Sequence, residues 1–310
     1  MPERSEQQLR ADIVEVGRRL YARGYTASND GNISVRLDAT RLLMTPKGVS
    51  KGFMEPAMMC ITDLGGRKLA GGRDPSSEIQ MHLEVYRQRP DVQAVVHAHP
   101  PIATGFAVAG IPLDRAVLAE VLTTLGSVPI AEYATPSTME LPEAVRRYVK
   151  AHDGMLLANH GALTLGGDLF SAYYKMETVE HFAKISLVAR MLGGERLLSR
   201  DEVVRLQGLR GSYGIASPAP ICPEPDGVDG VECQAVQAPP GSAGRRLVPD
   251  SELLGEATEP RPADREPRRL TGQTPRSVEH PRGPDDEIRL TYRELTALIE
   301  DAVRELTKKS

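Results

Sequence analysis

Leu9, Ile13, Val16 and Leu20 recur at intervals of three and four residues, which predicts an amphipathic helix over about 6–23. "GNISVRLDATRLLMTP" then alternates apolar and polar positions around a short polar break, the pattern of a hairpin of two short strands. After "PSSE", Ile79, Leu83 and Tyr86 return to helical spacing. Ser77 as N-cap and Gln80 three positions on predict a capping box there, with Glu78 suiting the helix dipole in the first turn. "VQAVVHAH" reads as a strand and 100–109 as a helix. A short strand near "SVPIAEY", a helix from Leu141, a strand in "GMLLANHG" and a long helix from about Leu169 to Leu192 complete the pattern. Elements alternate without an internal repeat, which predicts an α/β domain over 1–215 with a sheet covered by helices.

The pattern breaks near residue 215. Of the 24 prolines, 13 lie between Pro218 and Pro284, among Gly, Asp, Glu and Arg. Such a stretch buries too little apolar surface to offset its ordering entropy, so 216–286 reads as a disordered linker. Helical period returns in 287–310, where Leu295, Leu298, Ile299, Ala302, Val303 and Leu306 share a face. Thr291 with Glu294 forms a second capping-box pattern, and Lys308 and Lys309 suit the C-terminal end of the dipole.

Composition narrows the partners. A net charge of -4 over 310 residues provides no general basic field for nucleic acid or an anionic membrane. The opening "MPERSEQQLRADIVEVGRRL" is charged and periodic, and no stretch approaches about 18 apolar residues, so neither export nor a membrane span is expected. Three cysteines, Cys60, Cys222 and Cys233, fit neither a disulfide framework nor a zinc knuckle. The expectation is a cytoplasmic protein whose metal, if any, is held by histidine and carboxylate.

Side chains two apart on a strand leave from the same face, so His97 and His99 project together where "VVHAHPP" ends its apolar run. His160 closes another strand-like run, and Gly161 allows a tight turn after it. Three neutral imidazoles with a fourth position open make the donor set of a catalytic zinc site. The HxH pattern alone equally suits two hydrogen-bonded histidines at a strand end. "PSSE" would bring a carboxylate beside a helix N-terminus able to receive an anion. "SNDGNIS" and "MTPKGVSKG" offer further loop amides, with Lys47 adding positive charge, although turn formation explains both loops as well.

"GNISVR", "TPKG", "PSSE", "VVHAHP" and "LANHGAL", in this order, resemble the class II aldolase/adducin family over about residues 8–200. The family includes fuculose-phosphate aldolases and ribulose-phosphate 4-epimerases. The resemblance implies a three-layer αβα sandwich with a central, mainly antiparallel sheet. It also implies Zn2+ or a similar divalent ion on His97, His99 and His160, and Glu78 as catalytic acid/base. Asn32, Lys47, Gly48, Ser76 and Ser77 fall where the family grips the substrate phosphate. The implied activity is metal-dependent cleavage of a sugar phosphate by a homotetramer.

Two departures bear on substrate. Lys47 stands where the family usually has Ser or Thr, and the catalytic tyrosine of fuculose-phosphate aldolases has no match in "IPLDRAVLAEVLTTLGSVP". Ala116 or Leu118 lies nearest to it, and Glu120 is a possible substitute whose simpler role is a solvated helix carboxylate. Epimerase, dehydratase and decarboxylase activities are the alternatives on this fold; Glu78 in place of the epimerases' PSSD aspartate favours aldolase. A non-catalytic adducin-like scaffold would be expected to lose ligands, which this chain keeps. The tail resembles the encapsulation peptides of bacterial microcompartments, which implies shell or cargo proteins as partners of 287–310 and a luminal location. A helix docked on its own core or on a neighbouring subunit is the other reading of that segment.

Overall fold

The computed structural model describes residues 4–215 together with Ser217 and Ala219. With those two exceptions, the expected linker and the C-terminal helix lie outside the described residues.

Helix α1 (Glu6–Ala22) starts at Ser5, whose hydroxyl accepts from the Gln8 N–H, and buries Ile13, Val16 and Leu20. Strands β1 (Asn32–Arg36) and β2 (Arg41–Met44) form the expected hairpin, with Asp38 Oδ1 accepting the N–H groups of Thr40 and Arg41 in its turn. Strands β3 (Cys60–Asp63) and β4 (Lys68–Ala70) extend this half of the sheet. Helix α2 (Ile79–Gln88), strand β5 (Ala94–Ala98) and helix α3 (Pro101–Ala109) follow. Next come α4 (Ala119–Thr124), β6 (Ile130–Ala131), α5 (Glu140–Arg146), β7 (Gly154–Leu157) and β8 (Gly161–Gly166). The long α6 (Leu169–Met191) and then α7 (Arg200–Leu209) close the described chain.

The strands join in one sheet in the order β4-β3-β2-β1-β5-β8-β7-β6. Every pairing is antiparallel except that of β6 with β7. Alternation along the central strands separates two cores. Ala94, Val96 and Ala98 face α1, α3 and α6, whereas Val95, Leu163 and Leu165 face α2 and α5. The expected three-layer αβα sandwich is therefore present. Each fully buried large aliphatic side chain is worth about 1.5–3 kcal/mol relative to exposure, so the layers hold helices too short to persist alone. One such helix is α3, whose Ile102 and Ala103 N–H groups are also capped by the Glu180 carboxylate at 3.1 and 2.8 Å.

The capping box expected at α2 is not formed. Glu78 occupies the N-cap position without a side-chain cap, and Ser76 closes the turn by accepting from the Glu78 N–H at its hydroxyl and the Ile79 N–H at its carbonyl. The Glu78 carboxylate is drawn away across the sheet, toward groups 46 and more residues distant in sequence.

Candidate metal and acid–base site

β1 and β5 pair with Asn32 opposite His97 and Ser34 opposite Val95, so these side chains share the face that α2 covers. β5 ends at Ala98, and the chain turns there with the His99 N–H donating to the Tyr25 carbonyl at 2.8 Å. His160 arrives from the turn between β7 and β8. Its N–H bonds the Leu157 carbonyl, and Asn159 takes a positive φ of 55°, a conformation asparagine tolerates better than most residues. The turn comes close to β5: a Cβ on Gly161 would lie 2.6 Å from both the Ala98 carbonyl oxygen and His99 Cδ2. Gly31, at φ +72°, has the same role on the other side, since a Cβ there would lie 2.7 Å from the His97 carbonyl.

Backbone proximity brings the three imidazoles together. Their ring centroids are separated by 4.8, 4.9 and 5.1 Å, and one nitrogen from each lies within 4.8 Å of the others. His97 Nδ1 is 2.9 Å from the Ala162 carbonyl, which can only accept, so the ring carries its proton there and turns a lone pair at Nε2 inward. His99 Nδ1 faces Asp30 Oδ2 at 3.4 Å, which favours the same tautomer. His97 Nε2 and His99 Nε2 then oppose each other at 3.1 Å. Two lone pairs that close repel unless a cation lies between them, and burial keeps His97 well below its ordinary pKa and therefore neutral. His160 Nδ1 is buried without a hydrogen-bond partner among the described residues. The donor set fits a divalent cation.

Glu78 is the carboxylate beside this set. Its Oε1 lies 3.1 Å from His160 Nε2 and its Oε2 3.4 Å from His97 Nε2, while Asn32 Nδ2 donates to Oε2 at 2.7 Å. Burial opposes its charge, but the contacts from His160 and the Asn32 amide favour the carboxylate, and the carboxyl lies below the usual carboxylate range.

Two of the loops expected to receive phosphate are joined to each other, with the Lys47 N–H donating to the Asp74 carbonyl at 2.9 Å. An isolated bridge pairs Pro46 with Pro75, joining "TPKG" to "PSSE". Gly48 takes the left-handed conformation at φ +71°, Lys47, Gly48 and Ser77 are exposed, and Ser76 is buried in its turn. Asn32 is only 3% exposed, and its side-chain amide is engaged by Glu78 and by His82. Glu120 is outside the histidine cluster. It lines an open cavity of about 970 Å3 with Arg23, Glu177, Glu180, His181 and Lys184. Ala116 is buried beside Leu122 and Val203, and Leu118 precedes α4.

Three participants were not singled out from the sequence. Asp30 precedes Gly31 in a stretch that reads only as a polar turn. His82 lies one helical turn after Glu78, on the same helix face. Lys51, only 2% exposed, donates from Nζ to the Asn29 carbonyl at 3.2 Å and to the Val49 carbonyl at 2.7 Å, tying the two glycine loops together. Burial lowers its pKa to about 8, against the pull of Asp30 and Glu78.

A donor set suited to a divalent cation thus stands beside a largely buried carboxylate on an αβα sandwich. Residues 11–187, more than half of the chain, match the family described as "Class II Aldolase and Adducin N-terminal domain", and the chain belongs to that family. It is an enzyme of the class II aldolase type. It is 33% identical to an L-fuculose phosphate aldolase of Methanococcus maripaludis over 181 residues, 58% of this chain and 97% of that protein. It is 32% identical to a 3-oxo-tetronate 4-phosphate decarboxylase of Pectobacterium atrosepticum over 208 residues, 65% of this chain and 94% of that protein. Among solved structures, an L-fuculose 1-phosphate aldolase aligns with a TM-score of 0.62 at 30% identity, covering 67% of this chain and 98% of that one. Among the described residues, no helix is long and apolar enough to cross a membrane.

Proposed function

We propose that the protein is a Zn2+-dependent aldolase that cleaves a ketose 1-phosphate, such as L-fuculose 1-phosphate or L-rhamnulose 1-phosphate, to dihydroxyacetone phosphate and lactaldehyde. The observation that carries this reading is the Glu78 carboxylate, 3.1 Å from His160 Nε2 and 3.4 Å from His97 Nε2, beside three convergent imidazoles. An ion on His97, His99 and His160 would supply Lewis-acid stabilisation of negative charge at the substrate's carbonyl and adjacent hydroxyl oxygens. Glu78 accepts the proton of the C4 hydroxyl, whose O–H electron pair becomes the second bond of the aldehyde carbonyl. The C3–C4 bond breaks, and its pair stays with the three-carbon fragment. The same carboxyl returns the proton to C3, completing dihydroxyacetone phosphate. Lys47, Gly48, Ser76, Ser77 and the second N–H of Asn32 hold the phosphate, so its binding energy fixes the reacting carbons.

The near-equal identity to the decarboxylase, 32% against 33% for the fuculose phosphate aldolase, supports a second reading in which a 3-oxo acid phosphate loses CO2 at the same centre. Metal-quantified protein incubated with L-fuculose 1-phosphate, with and without chelator, distinguishes the two. Chelator-sensitive release of dihydroxyacetone phosphate, read by a coupled reductase, supports the aldolase. No release from metal-loaded protein, with CO2 evolved from 3-oxo-tetronate 4-phosphate, replaces it with the decarboxylase. Protein that takes up no divalent ion when supplied with one, and is inactive on both substrates, refutes the metal-dependent reading itself.

Two assembly proposals accompany this one. A homotetramer predicts a light-scattering mass four times that of one chain. Targeting of a microcompartment lumen through 287–310 predicts that deleting 285–310 keeps turnover and abolishes co-purification with shell proteins; undiminished association would sink it.

A further inference from the structure

On one side of the metal site, a buried row of polar side chains runs between β1 and α2. The period-two face of β1 presents Asn32, Ser34 and Arg36, and the i, i+4, i+8 face of α2 presents Glu78, His82 and Tyr86. The two sets interleave. Asn32 Nδ2 donates to Glu78 Oε2 at 2.7 Å, and Asn32 Oδ1 contacts His82 Nε2. His82 Nδ1 is 2.7 Å from Ser34 Oγ, which is 2.9 Å from the Tyr86 hydroxyl. The Arg36 guanidinium lies over the Tyr86 ring, 4.8 Å from its centroid.

The direction of every bond follows from its ends. A carboxylate only accepts, so the Asn32 amide must turn its NH2 toward Glu78 and its oxygen toward His82. That oxygen requires a donor, so neutral His82 carries its proton on Nε2 and offers a lone pair at Nδ1. The Ser34 hydroxyl donates to that lone pair, leaving its oxygen to accept the Tyr86 O–H. Burial lowers His82 to about pKa 4 and drives the Tyr86 phenol well above its ordinary range, so both keep these protonation states at neutral pH.

We propose that His82 is a positioning residue: held in the Nε2–H tautomer by Ser34 and Tyr86, it fixes the Asn32 amide so that Glu78 Oε2 is bound and Oε1 is presented to the reacting centre. This rests on the reading of Glu78 as the acid/base. An Asn32 amide free to flip would set its oxygen against the carboxylate and push it off its productive orientation. Oε1 faces the histidine cluster instead, 3.1 Å from His160 Nε2, on the side where proton transfer would occur.

The test compares three substitutions on metal-loaded, full-length protein with L-fuculose 1-phosphate. Gln can place an N–H where His Nε2–H lies, whereas Asn reaches only the position of Nδ1 and Leu supplies no donor. Expected for His82→Asn and His82→Leu is a fall in kcat of about 10–100-fold, the usual scale for groups that orient a ligand from behind. KM and bound metal should stay within about threefold of wild type, and His82→Gln should recover most of the turnover. Full turnover in folded His82→Asn and His82→Leu, or no rescue by Gln, overturns the proposal. A buried histidine is hazardous to replace, so nitrogen-15 NMR of the wild-type holoprotein gives a second test. His82 should show a protonated Nε2 and a lone-pair Nδ1 at pH 7, and the opposite tautomer or an imidazolium overturns the proposal by itself. A Glu78→Gln variant keeps the two readings apart. If it retains turnover, the acid/base reading falls; if it is inactive while His82→Leu is unimpaired, only the positioning role falls.

Discussion

Gly161→Ala tests whether backbone packing sets the metal geometry. The added methyl would lie 2.6 Å from both the Ala98 carbonyl oxygen and His99 Cδ2, and 3.3 Å from His97 Cε1. Ordinary contact begins near 3.4 Å, so about 0.8 Å of displacement must be shared among these groups. The carbonyl belongs to the centre of the sheet, where Ala98 pairs with Ala162, and it yields less readily than the His99 ring. Overpacking of this kind costs about 1–3 kcal/mol, within the roughly 5–15 kcal/mol by which folded domains are stable, so the fold should survive. Ligand distances tolerate only about 0.2 Å, so the ion should not. The expectation is a near-native circular dichroism spectrum, a lowered melting temperature and at least about a tenfold loss of metal affinity, measured by chelator competition. Gly105→Ala in α3 is the control: nothing lies within 4 Å of its new methyl, and it should be neutral or slightly stabilising with metal affinity unchanged. Unaltered metal affinity in Gly161→Ala would refute the reasoning, because the neighbouring histidine would then have room to move that the packing denies it.

Other outcomes follow from the same geometry. His97→Ala should lose bound metal and turnover together, checked by metal analysis and the coupled assay. Glu78→Gln should stay folded and metal-loaded while kcat falls by about 10²–10⁴, the scale of a lost acid/base, and a smaller loss would contradict the role. Lys51, with a folded pKa near 8 against an ordinary 10.5, binds fewer protons folded than unfolded between those values. Its contribution therefore destabilises below pH 8 and fades as pH rises to 10.5, so stability should climb across that window. In chelator-treated protein, Lys51→Met should flatten the climb in urea unfolding at pH 8 and 10; an unchanged slope would rule out a buried ammonium.

Much of the scaffold is legible in the chain because its elements carry strong periods. Ile13, Val16 and Leu20 on α1 and the cooperative run of α6 need no tertiary context to be recognised. β8 escapes such reading: "GALTLG" is bounded by glycine and buried along its whole length, so it has no polar alternation to mark it. β3 and β4 are too short for a period to emerge. The three histidines and Glu78 could be singled out because the motifs that carry them resemble a known family; spacing alone fits a strand end and a helix start as well. Asp30, His82 and Lys51 could not, since each gains its meaning from a partner on another element. At α2 the local rule failed for the same reason: Ser77 and Gln80 have the spacing of a capping box, but the entry turn is shaped by Ser76 and by a carboxylate engaged across the sheet.

The interleaving of β1 with α2 has a built-in limit, like that of a vernier scale. Two residues of strand advance about 6.6–6.8 Å, and four residues of helix about 6.0 Å. The divisions coincide closely at one rung and drift by somewhat under an ångström at each rung after it, so a helix and a strand can share hydrogen bonds over a few steps only. The chain of side-chain hydrogen bonds running from Glu78 through Asn32, His82 and Ser34 ends at the Tyr86 hydroxyl, and Arg36 continues the line by lying across that ring, a contact far more tolerant of offset, while donating to the Tyr86 carbonyl at 3.2 Å. The registration is thus finest beside the reacting centre and coarsest at the far end. A residue inserted into α2 between Glu78 and His82 would rotate the later divisions by about 100° and break every reading from His82 onward at once.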